Sequence, residues 1–406
     1  MPTDTSATVV RRAAARIAVL CSGSLLALMF TAVAPILPLI AFHLGGSYSG
    51  TLAAQLVLTM PSAGMIAGGL FAGFAVAQFG PRRVLLLALV AYATFGTVGA
   101  AIGAVVPMLA SRALLGVAAA CVATAATTLL AARFDAQTRQ RMIGYQSSTG
   151  AVVGLMSTLL AGALAATFCW QAPFLLYLAS LGIALVAKWG LTDADSSLGT
   201  IASSMQSAAM PWRTLLPLYL LCVPVYASVF ITTTQVPFLL AASGERGAFV
   251  LSIVLAMSSM FTAIGAALYG NVRQRCSPSA TFAIGLALMA LGQVALALIR
   301  PAPHPAAMAM FGCAVAGSGA GLSVAHLPNL FIARVAVEQR GQALGPMYSA
   351  MYLGGFTSPL WIAPLATRWG RSGALLECAL LLGFGALAAA RRGCRVEVSR
   401  AMERGS

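Results

Sequence analysis

The chain has 406 residues, 60% of them apolar and only 8% charged, with 24 basic residues against 9 acidic and a formal net charge of +15. Soluble domains carry charge at about a quarter of their positions, so this composition excludes a water-soluble fold and places the chain in lipid. A basic excess would suggest nucleic acid in a soluble protein, but here its distribution along the chain gives a simpler account.

Apolar runs long enough to cross roughly 30 Å of hydrocarbon occur twelve times, at 16–42, 49–78, 83–105, 107–132, 142–166, 171–190, 213–240, 247–270, 280–300, 305–334, 341–367 and 372–392. They lack the alternation and the short segments of a membrane barrel, and helices satisfy every backbone group internally. The predicted fold class is an all-α polytopic membrane protein with twelve transmembrane helices in two pseudo-symmetric six-helix bundles. The first run follows Arg11, Arg12 and Arg16 and reaches a small-x-small pattern at Ala32–Ala34. It continues to Ile40 and has Pro35 after the would-be cleavage point, so it reads as a retained helix rather than a signal peptide.

With the N-terminus placed in the cytoplasm, nineteen basic residues fall inside and four outside (Arg246, Arg300, Arg368 and Arg371), with Arg112 left within a helix. This bias predicts an even number of spans and both termini cytoplasmic. The least hydrophobic connection, 191–212, contains Asp193, Asp195 and a Ser/Ala-rich run. It reads as a cytoplasmic linker between an N-terminal bundle, 1–190, and a C-terminal bundle with a basic tail, 213–406.

An internal repeat supports that division. Ala132, Arg133, Arg139, Gly144, Ser148, Gly154 and Ser157 recur 201 residues later as Ala333, Arg334, Arg340, Gly345, Ser349, Gly355 and Ser358, without a gap. Two equivalent halves in a hydrophobic chain predict a pseudo-two-fold molecule with a site between them. The charge pattern puts both copies in matched cytoplasmic connections, where Arg139 and Arg340 can meet helix ends.

A second signature spans Gly69 to Arg83, with Gly73, then Phe79-Gly80-Pro81 and the pair Arg82-Arg83. A glycine-rich end to one helix, then a glycine and paired basic residues before the next, resembles the loop motif of the major facilitator superfamily. Six plus six helices around a cytoplasmic linker is also that family's plan. Arg112 followed by Gly116 and Ala118–Ala120 resembles the second motif of its proton-coupled exporters, and Trp170-Gln171-Ala172-Pro173-Phe174 is similar to its turn into the sixth helix. The resemblance implies a cytoplasmic gate at Gly73, Gly80, Arg82, Arg83, Arg139 and Arg340. Two departures stand out: the family's loop aspartate and following arginine are Ala77 and Gln78, and the fifth span lacks a Gly-Pro pair. The first leaves the inner charge lock incomplete, and the second weakens a drug:proton antiporter assignment.

Ionisable residues inside a membrane are costly and are functional by default. The spans hold Arg112, His326 and Glu377. Arg112 either binds an anionic group or senses protonation, or it is a structural arginine bonded to carbonyls of the first helix. His326, beside Pro328 and Asn329, either carries protons and contacts substrate or is a neutral packed imidazole. Glu377 is a second protonatable candidate, with snorkelling or pairing to Arg371 as the plainer reading. In the family the first, fourth, seventh and tenth helices line the cavity, which selects Thr31, Arg112, Tyr226, Gln235, His326 and Asn329 as substrate-binding candidates.

None of the eight cysteines forms a metal-ligand spacing or an external pair, and no metal or other cofactor is expected. No phosphate-binding loop and no convergent set of catalytic groups occurs, which argues against an ATP-driven pump or an enzyme; a membrane enzyme or receptor is the alternative of a different class. The expected function is secondary transport of a small, partly lipophilic solute by alternating access, with proton-linked efflux ahead of a facilitator or importer. Its partners would be that solute, the bilayer and protons, with no nucleic acid, in a monomer. The Arg-rich, Lys-poor composition suggests a bacterial inner membrane.

Overall fold

The computed structural model describes residues 3–46, 48–133, 136–191, 211–299, 304–335 and 339–405, and every regular element among them is helical. Helix 1 runs from Thr3 to Thr31, then passes through a 3-10 turn at Ala34–Ile36 into Leu37–His43. Pro35 and Pro38 lack the amide hydrogens that would continue the ladder, which breaks the helix there. Helices 2 to 5 are Tyr48–Phe79, Pro81–Val98, Val105–Arg133 and Ala136–Thr167. Helix 6 starts as a 3-10 stretch, Ala172–Leu178, behind Pro173, and continues as Ala179–Gly190. Helices 7 to 10 are Trp212–Ala242, Ala248–Arg275, Pro278–Ala297 and Pro305–Ile332.

The last helical stretch, Arg340–Gly405, is two helices folded at Gly370, whose φ of 70° and ψ of 169° belong to a region essentially reserved for glycine. Helix 11 is 340–369 and helix 12 is 371–405. Of the eleven stretches long and apolar enough to cross a membrane among the described residues, the last therefore contributes two helices, giving the expected twelve. Helix 3 stops at Val98 although its apolar run goes on to 105, because Gly99 and Gly103 bracket a turn. Helix 5 begins at Ala136, ahead of its apolar run.

The chain forms two compact units, Met1–Ser207 and Ala208–Ser406. Most of the 191–212 connection lies outside the described residues. In the first unit helix 4 packs against helices 2 and 3, and helix 1 against helices 5 and 6. In the second, helix 10 packs against helices 8 and 9, and the 11–12 stretch against helices 7 and 9.

Lipid tails are as apolar as side chains, so helices associate in a bilayer through close packing at small residues. A methyl group added at Gly64 would strike the carbonyl of Ala113, and one at Gly116 the carbonyl of Pro61, so these glycines let helices 2 and 4 touch backbone to backbone. Their counterparts 201 positions on, Gly265 and Gly317, do the same for helices 8 and 10 against Ser318 and Ser258. The duplication read from the 132–157 segment thus extends to the seams that hold each bundle together.

Candidate functional sites in the two units

Arg112 lies in helix 4 and is 0% exposed. Its Nη2 donates to the carbonyl of Gly96 in helix 3 at 2.6 Å. The guanidinium carbon lies over two rings of helix 6, 4.8 Å from the centroid of Phe174 and 5.1 Å from that of Tyr177. Cation–π contacts of this kind are worth about 2 kcal/mol or more when desolvated. Among the described residues, none is a hydrogen-bond partner for Nη1 or Nε.

The rings around Arg112 connect it to helix 1. Tyr92 of helix 3 meets Tyr177 edge-on at 5.8 Å. The Tyr92 hydroxyl donates to the carbonyl of Leu25 at 2.7 Å, and that of Tyr177 to the carbonyl of Met29 at 3.0 Å. Near the break in helix 1 the amide of Val33 bonds Phe30, three residues back, rather than Met29. Tyr177 supplies a donor at that carbonyl. The structural reading of Arg112 expected it to bond helix 1 directly; its bonded carbonyl is in helix 3, and the tyrosines reach helix 1.

In the second unit His326 of helix 10 is 2% exposed. Its Nδ1 is 3.1 Å from the hydroxyl of Tyr269 in helix 8, and its ring stacks on Phe282 of helix 9 with centroids 5.6 Å apart. Among the described residues, none is a hydrogen-bond partner for Nε2. Elsewhere in this unit, Gln293 of helix 9 is buried and donates to Thr232 of helix 7 at 2.8 Å.

The remaining candidates fall in separate places. The Thr31 hydroxyl bonds that of Ser157 at 2.6 Å, joining helices 1 and 5. Tyr226 packs on the apolar core of the second unit, with Tyr348 and Tyr352 of helix 11 as neighbours. Gln235 is buried, and its amide nitrogen has no partner among the described residues. Asn329 is exposed and donates back to the carbonyl of Ala325 at 2.9 Å. Glu377 is half-buried in helix 12. Arg371 bonds the carbonyl of Phe238 at 3.2 Å and lies over its ring. At the loop motif, Gly80 has φ 79° and caps helix 3, Gly73 has open space around it, Arg82 is half-buried and Arg83 exposed. The side chains of Arg139 and Arg340 lie outside the described residues.

Within each unit the structure gathers residues that the sequence had not singled out: Tyr92 and Tyr177 with Arg112, and Tyr269 and Phe282 with His326. Phe174 appeared only as part of a turn motif. A usable signal was the hydroxyl itself, since a tyrosine inside a span must find an acceptor.

Twelve apolar helices, duplicated glycine seams and a few enclosed polar side chains define a multi-pass membrane protein of transporter architecture. The sequence profile of the Major Facilitator Superfamily matches residues 19–359, and the chain belongs to that superfamily. No curated protein sequence matches it. Among solved structures it is similar to a bacterial homolog of the human lysosomal transporter Spinster, in an inward-facing and unoccupied conformation, at 13% identity and a TM-score of 0.76, with 95% of this chain and 98% of that one covered. The nucleoside transporter NupG aligns at 13% identity and a TM-score of 0.71, covering 93% and 98%. A D-xylose-proton symporter aligns at 15% identity and a TM-score of 0.70, covering 94% and 96%. At these identities the likeness concerns the fold.

Proposed function

We propose that this major facilitator protein exports a small, partly lipophilic solute in exchange for protons, its bundles 1–190 and 213–406 exposing a site alternately to the two sides of a bacterial inner membrane. The single observation that carries the reading is His326, a buried titratable ring bonded to Tyr269 through Nδ1 with Nε2 left over. Glu377 is the other protonatable group in the spans. Export is preferred on the likeness of the Arg112 motif to that of proton-coupled exporters. Enclosed as it is, Arg112 acts through the tyrosines that hold helix 1, while Thr31, Tyr226, Gln235 and Asn329 are left to meet the solute. Arg82, Arg83, Arg139 and Arg340, with Gly73 and Gly80, serve the cytoplasmic gate, and the protein works as a monomer with both termini in the cytoplasm.

A second reading, a facilitator or importer without proton coupling, is favoured by one feature: Glu377 is the sole carboxylate in the twelve predicted spans. Proteoliposomes assayed against a compound panel, with and without an imposed pH gradient, separate the two. Proton-linked efflux predicts gradient-dependent transport that is lost in His326→Ala or Glu377→Gln. Transport indifferent to the gradient selects the facilitator.

A further inference from the structure

Beyond its break, helix 1 ends in the short piece Leu37–His43. Helix 2 starts directly after this tip and runs to Phe79, so the tip and the Arg82-Arg83 pair lie at opposite ends of the first unit. His43 is exposed, and its imidazole centroid is 4.8 Å from that of Trp170, with the rings tilted by 42°. Trp170, half-buried ahead of helix 6, meets Phe174 edge-on at 6.2 Å, and Phe174 is the ring 4.8 Å from the Arg112 guanidinium. The turn between helices 3 and 4 runs beside both ends of this row. A methyl group added at Gly103 would lie 3.9 Å from His43 Nε2, and one at Gly99 would strike Arg112 Nη2. Ring contacts therefore lead without interruption from an exposed imidazole to an enclosed cation.

The connections at this end, 44–47, 99–104 and 168–171, hold no lysine, arginine, aspartate or glutamate. The acidic residues of the first unit are Asp4, Asp135, Asp193 and Asp195, none of them in these segments. Around the tip, helix 2 contributes Tyr48, the 168–171 connection Cys169, and helix 4 Arg112 from beyond Phe174, while the 99–104 turn contributes no titratable group. A phenol and a thiol are ordinarily neutral at pH 7, whereas an imidazole changes charge between about pH 5 and 8. His43 is thus the residue whose charge responds to mild acidity here. A cation within about 6 Å of an indole face is attracted by the ring quadrupole, and tryptophan is the strongest such partner. Arg112 opposes the new charge from two rings away, across a distance over which water and salt screen an exposed charge. Trp170 attracts it in direct contact, and the nearer interaction dominates.

We propose that His43 and Trp170 form a pH-sensitive latch, in which a proton taken up by His43 turns a neutral stack into a cation–π contact and tightens the tip of helix 1 onto the entry of helix 6. Tyr177 already ties helix 1 to helix 6 below the break, at the carbonyl of Met29. The break at Ala34–Ile36 separates the two attachments, so the tip can loosen while the lower one holds. In the proposed topology this end faces outward, and the latch reads external acidity. The proton comes from bulk water and returns to it. Nothing crosses the membrane in this step, so the latch stands apart from the proton-linked reading of His326.

The test uses the full chain in lipid nanodiscs, which leave both faces open to buffer. Hydrogen exchange is read at the tip amides of Leu44 and Gly46, bonded to the carbonyls of Ile40 and Ala41, relative to an unstructured peptide of the same sequence at the same pH. From about pH 7.5 to about pH 5.5, across the range where an imidazole gains its charge, protection in the wild type is expected to rise. The expected rise is about two- to fivefold, the scale of a cation–π contact at an exposed site. His43→Gln and Trp170→Leu should both abolish it, and His43→Phe, which keeps a ring on Trp170 without a charge, should abolish it too. His304 and His326 remain in every variant, so a rise that survives in His43→Gln comes from another group and overturns the latch. A rise lost in His43→Gln and kept in Trp170→Leu gives His43 a different partner and overturns it as well, as does a flat wild type. Should Trp170→Leu fail to fold, the two substitutions at exposed His43 decide the matter. Transport that ignores a pH gradient would remove the proton-linked reading and leave the latch standing.

Discussion

Among the described residues, Arg112 and His326 are the two buried basic side chains of the spans, and their surroundings differ in a way that the repeat makes measurable. At the 201-residue offset Arg112 becomes Cys313, Tyr92 becomes Gln293 and Tyr177 becomes Cys378, whereas Gly64 and Gly116 keep their identity as Gly265 and Gly317. The contacts between backbones are thus shared and the polar interiors are not. The first unit encloses a permanent charge in aromatic faces and spends its tyrosine hydroxyls on the carbonyls of helix 1. The second encloses a titratable ring and a neutral amide, and connects them to neighbouring helices through hydroxyls. A duplicated scaffold can hold a fixed cation on one side and a switchable group on the other because its helix contacts do not depend on either.

The strongest way to break this comparison is at the shared seams. Gly64→Val and Gly265→Val should each destabilise their unit by about 3 kcal/mol, the upper range for overpacking, seen as a lowered thermal midpoint in nanodiscs. Tolerance of one but not the other would mean that the seams are not equivalent. Next in size, Arg112→Ala should lose about 2–4 kcal/mol through the cavity it leaves, while Arg112→Met should stay within about 1 kcal/mol, since a buried charge replaced by an apolar side chain of similar volume is often neutral. Equal losses in the two variants would make the charge itself the source of stability. Tyr92→Phe and Tyr177→Phe should each cost about 1 kcal/mol, the usual net worth of one hydrogen bond, measured by the same denaturation. At the small end, Gly73→Ala should move stability by less than about 0.5 kcal/mol, because nothing lies within 4 Å of the added methyl.

Much of the fold was legible because hydrophobic length registers directly in composition. The run from 305 to 334 predicts helix 10 at Pro305–Ile332, and the gap between 367 and 372 contains the turn at Gly370. Boundaries failed where local chemistry overrides hydropathy, as at Gly99 and Gly103, which end helix 3 inside an apolar run. The sites were less legible. Arg112 and His326 stand out as charges in lipid, but their partners depend on helix crossings that bring together residues far apart in the chain. Phe174 and Tyr177 are 62 and 65 residues from Arg112 in sequence, and Tyr269 is 57 residues from His326. Gln293 escaped notice because an uncharged amide in a span carries no strong signal until its neighbours are known.

The turn at Gly370 carries a practical consequence. Helices 11 and 12 meet through a single positive-φ residue, so their junction has no spare chain to lengthen, twist or hide a stretch of extra sequence. An epitope or protease site inserted there would have to pull one helix end apart, whereas the turn at 99–104, between helices 3 and 4, has several residues to lend. For anyone building reporters into this protein, the hairpin of helices 11 and 12 is best treated as one rigid part, to be labelled along its length rather than at its tip.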